Sequence, residues 1–145
     1  MAVKPIPDGY HSVTPYLVVN GAAKLIDFMK EVLGAEEMFR MDSPDGVGHA
    51  EMRVGDSIVM LADAAGSATG KASPAMLHIY LPDVDATYQR AIKAGAKALR
   101  EPADQFYGDR SASVKDAFGN QWWIATHVED VPPEELQRRA AQQQG

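Results

Sequence analysis

Apolar positions along the chain change period in a fixed order, and that order occurs twice. Residues 13–19 form a β-branched and aromatic run. Ala22, Leu25, Ile26, Met29, Val32 and Leu33 then recur at helical spacing on one face, so the pattern predicts a strand followed by a helix. Gly34 stands where that helix should stop. Residues 36–41, 48–54 and 57–62 then read as three short strands, joined by Ser43-Pro-Asp-Gly46 and Val54-Gly-Asp56. Beyond a small-residue linker at 64–74, the pattern predicts a strand over 76–81, a helix over 84–94 stopped by Gly95, and strands over 97–102, 110–115 and 121–128. Each half is therefore βαβββ. Leu33-Gly-Ala-Glu36 answers Ala94-Gly-Ala-Lys97, and Val54-Gly-Asp56 answers Phe118-Gly-Asn120 in the same order.

This repetition gives an α+β fold class and a single domain built of two modules, one at about 11–63 and one at 75–128. Neither unit can cover its hydrophobic face alone, so their mixed sheets are expected to curl around a shared cleft, the default place for a small ligand. A tail over 131–145 reads as a polar C-terminal helix. Glu134 and Glu135 lie in its first turn with Arg138 and Arg139 further on, an order that suits the helix dipole, and its end at 142–145 is expected to fray.

Composition narrows the function classes. A chain of 145 residues can bury roughly 70% of its unfolded surface, and 46% hydrophobic with 23% charged residues is ordinary globular usage. A formal net charge of -6, without any run of Lys and Arg, argues against nucleic acid as a partner. The absence of cysteine excludes disulfides, thiolate zinc sites and a Cys nucleophile. The first residues have no apolar core like that of a signal peptide, and no stretch approaches the roughly 20 apolar residues that span a bilayer, so a cytoplasmic protein without membrane contact is expected. Gly46-Val-Gly48 and Gly66-Ser-Ala-Thr-Gly70 lack phosphate-loop or dinucleotide spacing and read as turn and linker.

Six segments carry a family resemblance: Thr14-Pro-Tyr-Leu-Val-Val19, Ile26-Asp-Phe28, Val32-Leu-Gly-Ala35, His49-Ala-Glu-Met52, Val54-Gly-Asp56 and Asp116-Ala-Phe-Gly-Asn-Gln-Trp-Trp-Ile-Ala-Thr-His127. Over about residues 11–128 the chain resembles the vicinal oxygen chelate superfamily, which includes glyoxalase I, extradiol dioxygenases, fosfomycin-modifying transferases and bleomycin-binding resistance proteins, and within it the PhnB-like branch. The resemblance implies that metal-dependent relatives place His, Glu or Gln ligands on the first and last strands of each half. Matched onto this chain, those positions fall at Thr14, at Val59 or Met60, at His78 and at Trp123. At most one ligand of the set remains, whereas a catalytic divalent ion usually needs about three. The expectation is a protein without metal or other cofactor.

Strand alternation then sorts the candidates. Trp123, Ala125 and His127 share the cleft face, leaving Trp122, Ile124 and Thr126 for the core. An indole in place of a carboxylate offers a flat apolar wall with one N–H donor, suited to stacking on an aromatic ligand, or else it fills the empty metal cavity. If His78 faces inward, Tyr80 does too, and Tyr16 joins them if Thr14 points into the cleft. His49 and Glu51 share a face and read either as a base with its orienting partner or as a solvated ionic contact. In Phe106-Tyr-Gly-Asp-Arg110, Tyr107 and Arg110 could close over a ligand, or the segment is an ordinary hairpin. The leading reading is a metal-independent small-molecule binding protein that takes a flat or aromatic ligand. A glyoxalase-like lyase or isomerase and an interaction module with a vestigial pocket are the alternatives. The resemblance also implies a homodimer.

Overall fold

The computed structural model describes residues 2–143, so the last two positions of the expected tail lie outside the described residues. The element order is β1 (Tyr16–Val19), α1 (Ala22–Leu33), β2 (Glu36–Ser43), β3 (Gly46–Val54), β4 (Ser57–Asp63), β5 (Met76–Tyr80), α2 (Val84–Lys93), β6 (Lys97–Asp104), β7 (Asp109–Lys115), β8 (Gln121–His127) and α3 (Pro133–Gln143). The βαβββ repeat and the C-terminal helix are both present. The chain divides into two compact units, one ending at Ala75 and one beginning at Met76, and each carries a four-stranded mixed sheet. Among the described residues no helix is long and apolar enough to cross a membrane.

In the first unit the strand order is β1-β4-β3-β2, with β1 parallel to β4 and the other pairs antiparallel. The apolar stripe of α1 is fully covered: Leu25, Ile26, Met29 and Val32 are buried with Leu17, Val19, Met52 and Leu61. The first strand is shorter than the apolar run suggested. Pro15 has no N–H to give a ladder, and Val13 before it is solvent-exposed. Gly21 opens α1 at φ +101 without a side-chain cap of its own. The free amides of Gly21 and Ala22 are received instead by Asp63 Oδ1, at 2.8 and 3.0 Å, while Asp63 Oδ2 accepts from Val47 at 2.8 Å. Burial alone would raise this carboxyl, but the three backbone donors outweigh it and hold the group below its ordinary value. The linker does not hang free: the amide of Ser73 donates to the carbonyl of Val18 at 2.9 Å, pairing the linker with β1.

In the second unit the order is β5-β8-β7-β6, with β5 parallel to β8. Here α2 has a local N-cap, Asp83, which accepts from Ala86 at 3.1 Å. The β7–β8 turn is built around one buried carboxylate. Asp116 Oδ1 accepts from the amides of Phe118 and Asn120 at 2.8 and 2.9 Å, and Oδ2 accepts from Asn120 Nδ2 at 3.1 Å and from the indole of Trp122 at 2.8 Å. Trp122 is fully buried, as alternation requires. Gly108, at φ +102, lets its loop lie against the 128–129 segment, where its carbonyl accepts from Val128 and Glu129. Helix α3 buries no residue, yet Arg139 anchors it to the carbonyl of Phe106 at 3.1 Å and to the carboxylate of Glu129.

Asp116→Ala leaves several buried donors without an acceptor and is expected to destabilise the fold by at least about 3 kcal/mol. Urea unfolding followed by tryptophan fluorescence measures this, and an unchanged midpoint would show that packing alone holds Trp122.

Candidate functional site

The ladders bring side chains into rows across each sheet, on the face opposite its helix. In the first unit Tyr16 lies abreast of Met60, Met60 of Glu51, and Glu51 of Phe39. His49 joins this face two residues from Glu51. Its Nδ1 lies 2.9 Å from the Tyr16 hydroxyl and its Nε2 lies 2.8 Å from Glu51 Oε2. An ionised carboxylate can only accept, so a neutral ring carries its proton on Nε2 and receives the Tyr16 hydroxyl at Nδ1. The phenol, imidazole and carboxylate thus form one continuous hydrogen-bonded chain. Phe39 stands at the side of the imidazole, with ring centroids 6.2 Å apart. Beside Tyr16 a cavity of about 470 Å³ opens between Val18, Ala62 and the linker residues Ala65, Gly66 and Ser67.

In the second unit the corresponding row is His78, Trp123, Ser113 and Arg100, one from each strand. His78 lies abreast of Trp123, Tyr16 lies abreast of Met60 on the open face of the first sheet, and Thr14 precedes the strand. Of the two fourth-strand candidates, Met60 shares that face. The residues matched by resemblance, Thr14, Met60, His78 and Trp123, offer a hydroxyl, a thioether, an imidazole and an indole. Among the described residues no group of three His, Cys, Asp or Glu could hold a metal ion. This donor set does not fit a divalent cation.

His78 and Tyr80 are brought together, with ring centroids 5.2 Å apart in an edge-on arrangement. Tyr80 donates to Asp109 Oδ2 at 2.8 Å, and His127 bridges Asp109 Oδ1 at 2.8 Å and Asp130 at 2.7 Å. The hydrogen bonds to Asp109 and then to Asp130 raise the imidazole of His127 above its ordinary value. Burial would raise Asp109, but the hydrogen bonds from His127 and Tyr80 outweigh it and lower this carboxyl. The bond to Asp109, and secondarily burial, raise the phenol of Tyr80. Trp123 is half-buried; its ring carries the Arg100 guanidinium 5.3 Å from the centroid, and its Nε1 is buried without a hydrogen-bond partner among the described residues.

The remaining two candidates lie elsewhere. Arg110 stands abreast of Thr126, on the side of the sheet that α2 covers, and binds Asp85 of α2 in a fork at 2.8 and 2.9 Å and Asp104 at 3.2 Å. Three of its five N–H donors are engaged by these carboxylates. Tyr107 is exposed in the β6–β7 loop, with its ring edge-on to Phe106 at 5.3 Å. Sequence reasoning missed Arg100, Ser113 and Asp109. Alternation along 111–113 could have put Ser113 beside Trp123, but the register shifts in β6 hide Arg100 from any counting rule.

Residues 9–124 match the family model described as Glyoxalase/Bleomycin resistance protein/Dioxygenase superfamily. An uncharacterized protein of Mycobacterium bovis is 36% identical over 142 residues, covering 91% of this chain and 93% of that protein. Another, from Mycobacterium tuberculosis, is 36% identical over 142 residues, with 91% and 84% covered. Among solved structures, TioX from Micromonospora sp. ML1 is similar with a TM-score of 0.70 at 23% identity, over 81% of this chain and 99% of that one. A glyoxalase/bleomycin resistance protein/dioxygenase family enzyme from Burkholderia phytofirmans PsJN gives 0.66 at 18% identity, over 79% and 97%. At these identities the structures establish a shared fold.

Because the folded state raises His127, the stabilisation from its acidic partners is fully present below the unfolded imidazole value of about 6.5 and is lost as pH rises through the higher folded value. His127→Ala should therefore lower the unfolding midpoint more at about pH 5.5 than at about pH 9. Equal losses at the two pH values would show that the charged ring gains nothing from Asp109 and Asp130.

Proposed function

From a chain that belongs to the glyoxalase/bleomycin resistance protein/dioxygenase superfamily, we propose a metal-independent small-molecule binding protein that holds a flat or aromatic ligand against Trp123. The observation that carries this reading is the row on the second sheet, where an indole stands at a position that metal-dependent relatives give to a carboxylate, with His78 beside it and the Arg100 cation over its ring. An aromatic wall offers dispersion and quadrupole contacts to a planar partner and asks for no metal. His78 and Tyr80 extend that wall, while Tyr16, His49 and Glu51 are the candidate ligand-binding residues of the first sheet. Tyr107 is the exposed loop aromatic available to such a ligand. Assignment to the PhnB-like branch and assembly as a homodimer are parts of the same proposal, supported by the motif set from Thr14 to His127.

A second reading, an enzyme of the lyase or isomerase kind, is favoured by one specific observation, the Tyr16–His49–Glu51 chain. With Glu51 holding Nε2–H, His49 Nδ1 can take the phenolic proton and leave the Tyr16 oxygen as a base toward an acidic C–H. Nothing in this sequence of transfers passes through a metal.

Trp123→Ala should weaken binding of a flat aromatic probe about tenfold or more, with affinity in the wild type unchanged by a chelator. Calorimetric titration reads both, and affinity that collapses on chelation would refute the metal-independent reading. For the second reading, Tyr16→Phe should abolish any turnover found while leaving the probe's affinity within about twofold. Full activity in that variant would remove the phenol from the chemistry.

A further inference from the structure

The second sheet carries an unusual local imbalance: donors without acceptors. Ser113 is fully buried, and its Oγ has no hydrogen-bond partner among the described residues. Nε1 of Trp123, its cross-strand neighbour, is likewise buried and unpartnered. Arg100, abreast of Ser113 on the other side, spends its guanidinium on the Trp123 ring and has no carboxylate among the described residues. Buried donors are nearly always paired, and two neighbouring ones left open beside an exposed guanidinium call for an acceptor from outside the chain.

We propose that Arg100, Ser113 and Trp123 form an anion-recognition subsite, and that the flat ligand held at Trp123 carries a carboxylate. The inference rests on the reading that a planar ligand takes the Trp123 ring, and adds the chemistry of its polar edge. Arg100 lies over that ring, so a ligand that stacks there has to move the guanidinium aside. A neutral ligand leaves the displaced cation only water, and a cationic one repels it. A carboxylate receives it in a fork while Ser113 Oγ–H and Trp123 Nε1–H serve the remaining lone pairs. The corresponding row of the first sheet, with Phe39, Glu51, Met60 and Tyr16, contains an acid and no cation, so it has nothing to offer an anion.

Calorimetric titration of the full chain with naphthoate, naphthamide and naphthylmethylammonium separates the possibilities. Naphthoate should bind about tenfold tighter than the amide, and the ammonium weakest. Arg100→Met should bring naphthoate down to the level of the amide without weakening the amide, and Arg100→Lys should retain part of the preference as a point charge. Ser113→Ala should keep or raise the melting temperature, since it removes an unpaired buried hydroxyl, while weakening naphthoate several-fold. If the amide binds as tightly as the acid, or Arg100→Met keeps the preference, the anion subsite is overturned and the aromatic-ligand reading stands. If none of the three probes binds the folded wild type, that reading falls and the subsite with it.

Discussion

A single buried carboxylate, Asp116, sets the geometry on which the functional surface depends. Its two oxygens gather the amides of the β7–β8 turn, the side chain of Asn120 and the indole of Trp122. Fixing the turn fixes the register of β8 against β7, and a slip by one residue would exchange every side chain between the two faces of the sheet. With Trp122 tied down on the helix side, Trp123 has no choice but the other. The chemistry at that position thus follows from a hydrogen-bond network on the opposite side of the strand.

The first unit solves the same problem with different residues. Asp63 at the end of β4 binds the start of α1 and the start of β3, so one acidic side chain joins three segments that are distant in sequence. At the end of β8, Thr126 donates instead to the carbonyl of Leu81 at 2.6 Å, and α2 is capped from within by Asp83. The two halves therefore share a topology without sharing the contacts that stabilise it. The same divergence extends to their open faces, where one row is acidic and apolar and the other is rich in donors.

The βαβββ order, the helix stops and the burial of Trp122 were legible in the sequence because each depends on local period, glycine at a helix end or alternation along one strand. The site was only partly legible. The alternation of His49 and Glu51 placed them on one face correctly, but the bond from Tyr16 to His49 spans 33 residues and needs the ladder between β1, β4 and β3 to be seen. The ion pairs of Arg110 were hidden for a related reason. Arg110 follows two aromatics in a loop, yet the direction of its side chain is decided by the pairing of β7 with β8 and by an acid on α2, neither of which the local sequence displays. Arg100 was invisible because two register shifts in β6 break the two-residue count.

The C-terminal helix is held in a different manner from everything before it. It buries no side chain, and its hold on the β6–β7 loop and on Glu129 passes through the guanidinium of Arg139. Contacts of that kind weaken as mobile ions accumulate around exposed charges, whereas the apolar packing beneath α1 and α2 does not. Ionic strength is therefore a selective handle on this molecule: it governs how firmly the tail is held to its neighbours, and leaves the two sheets as they are.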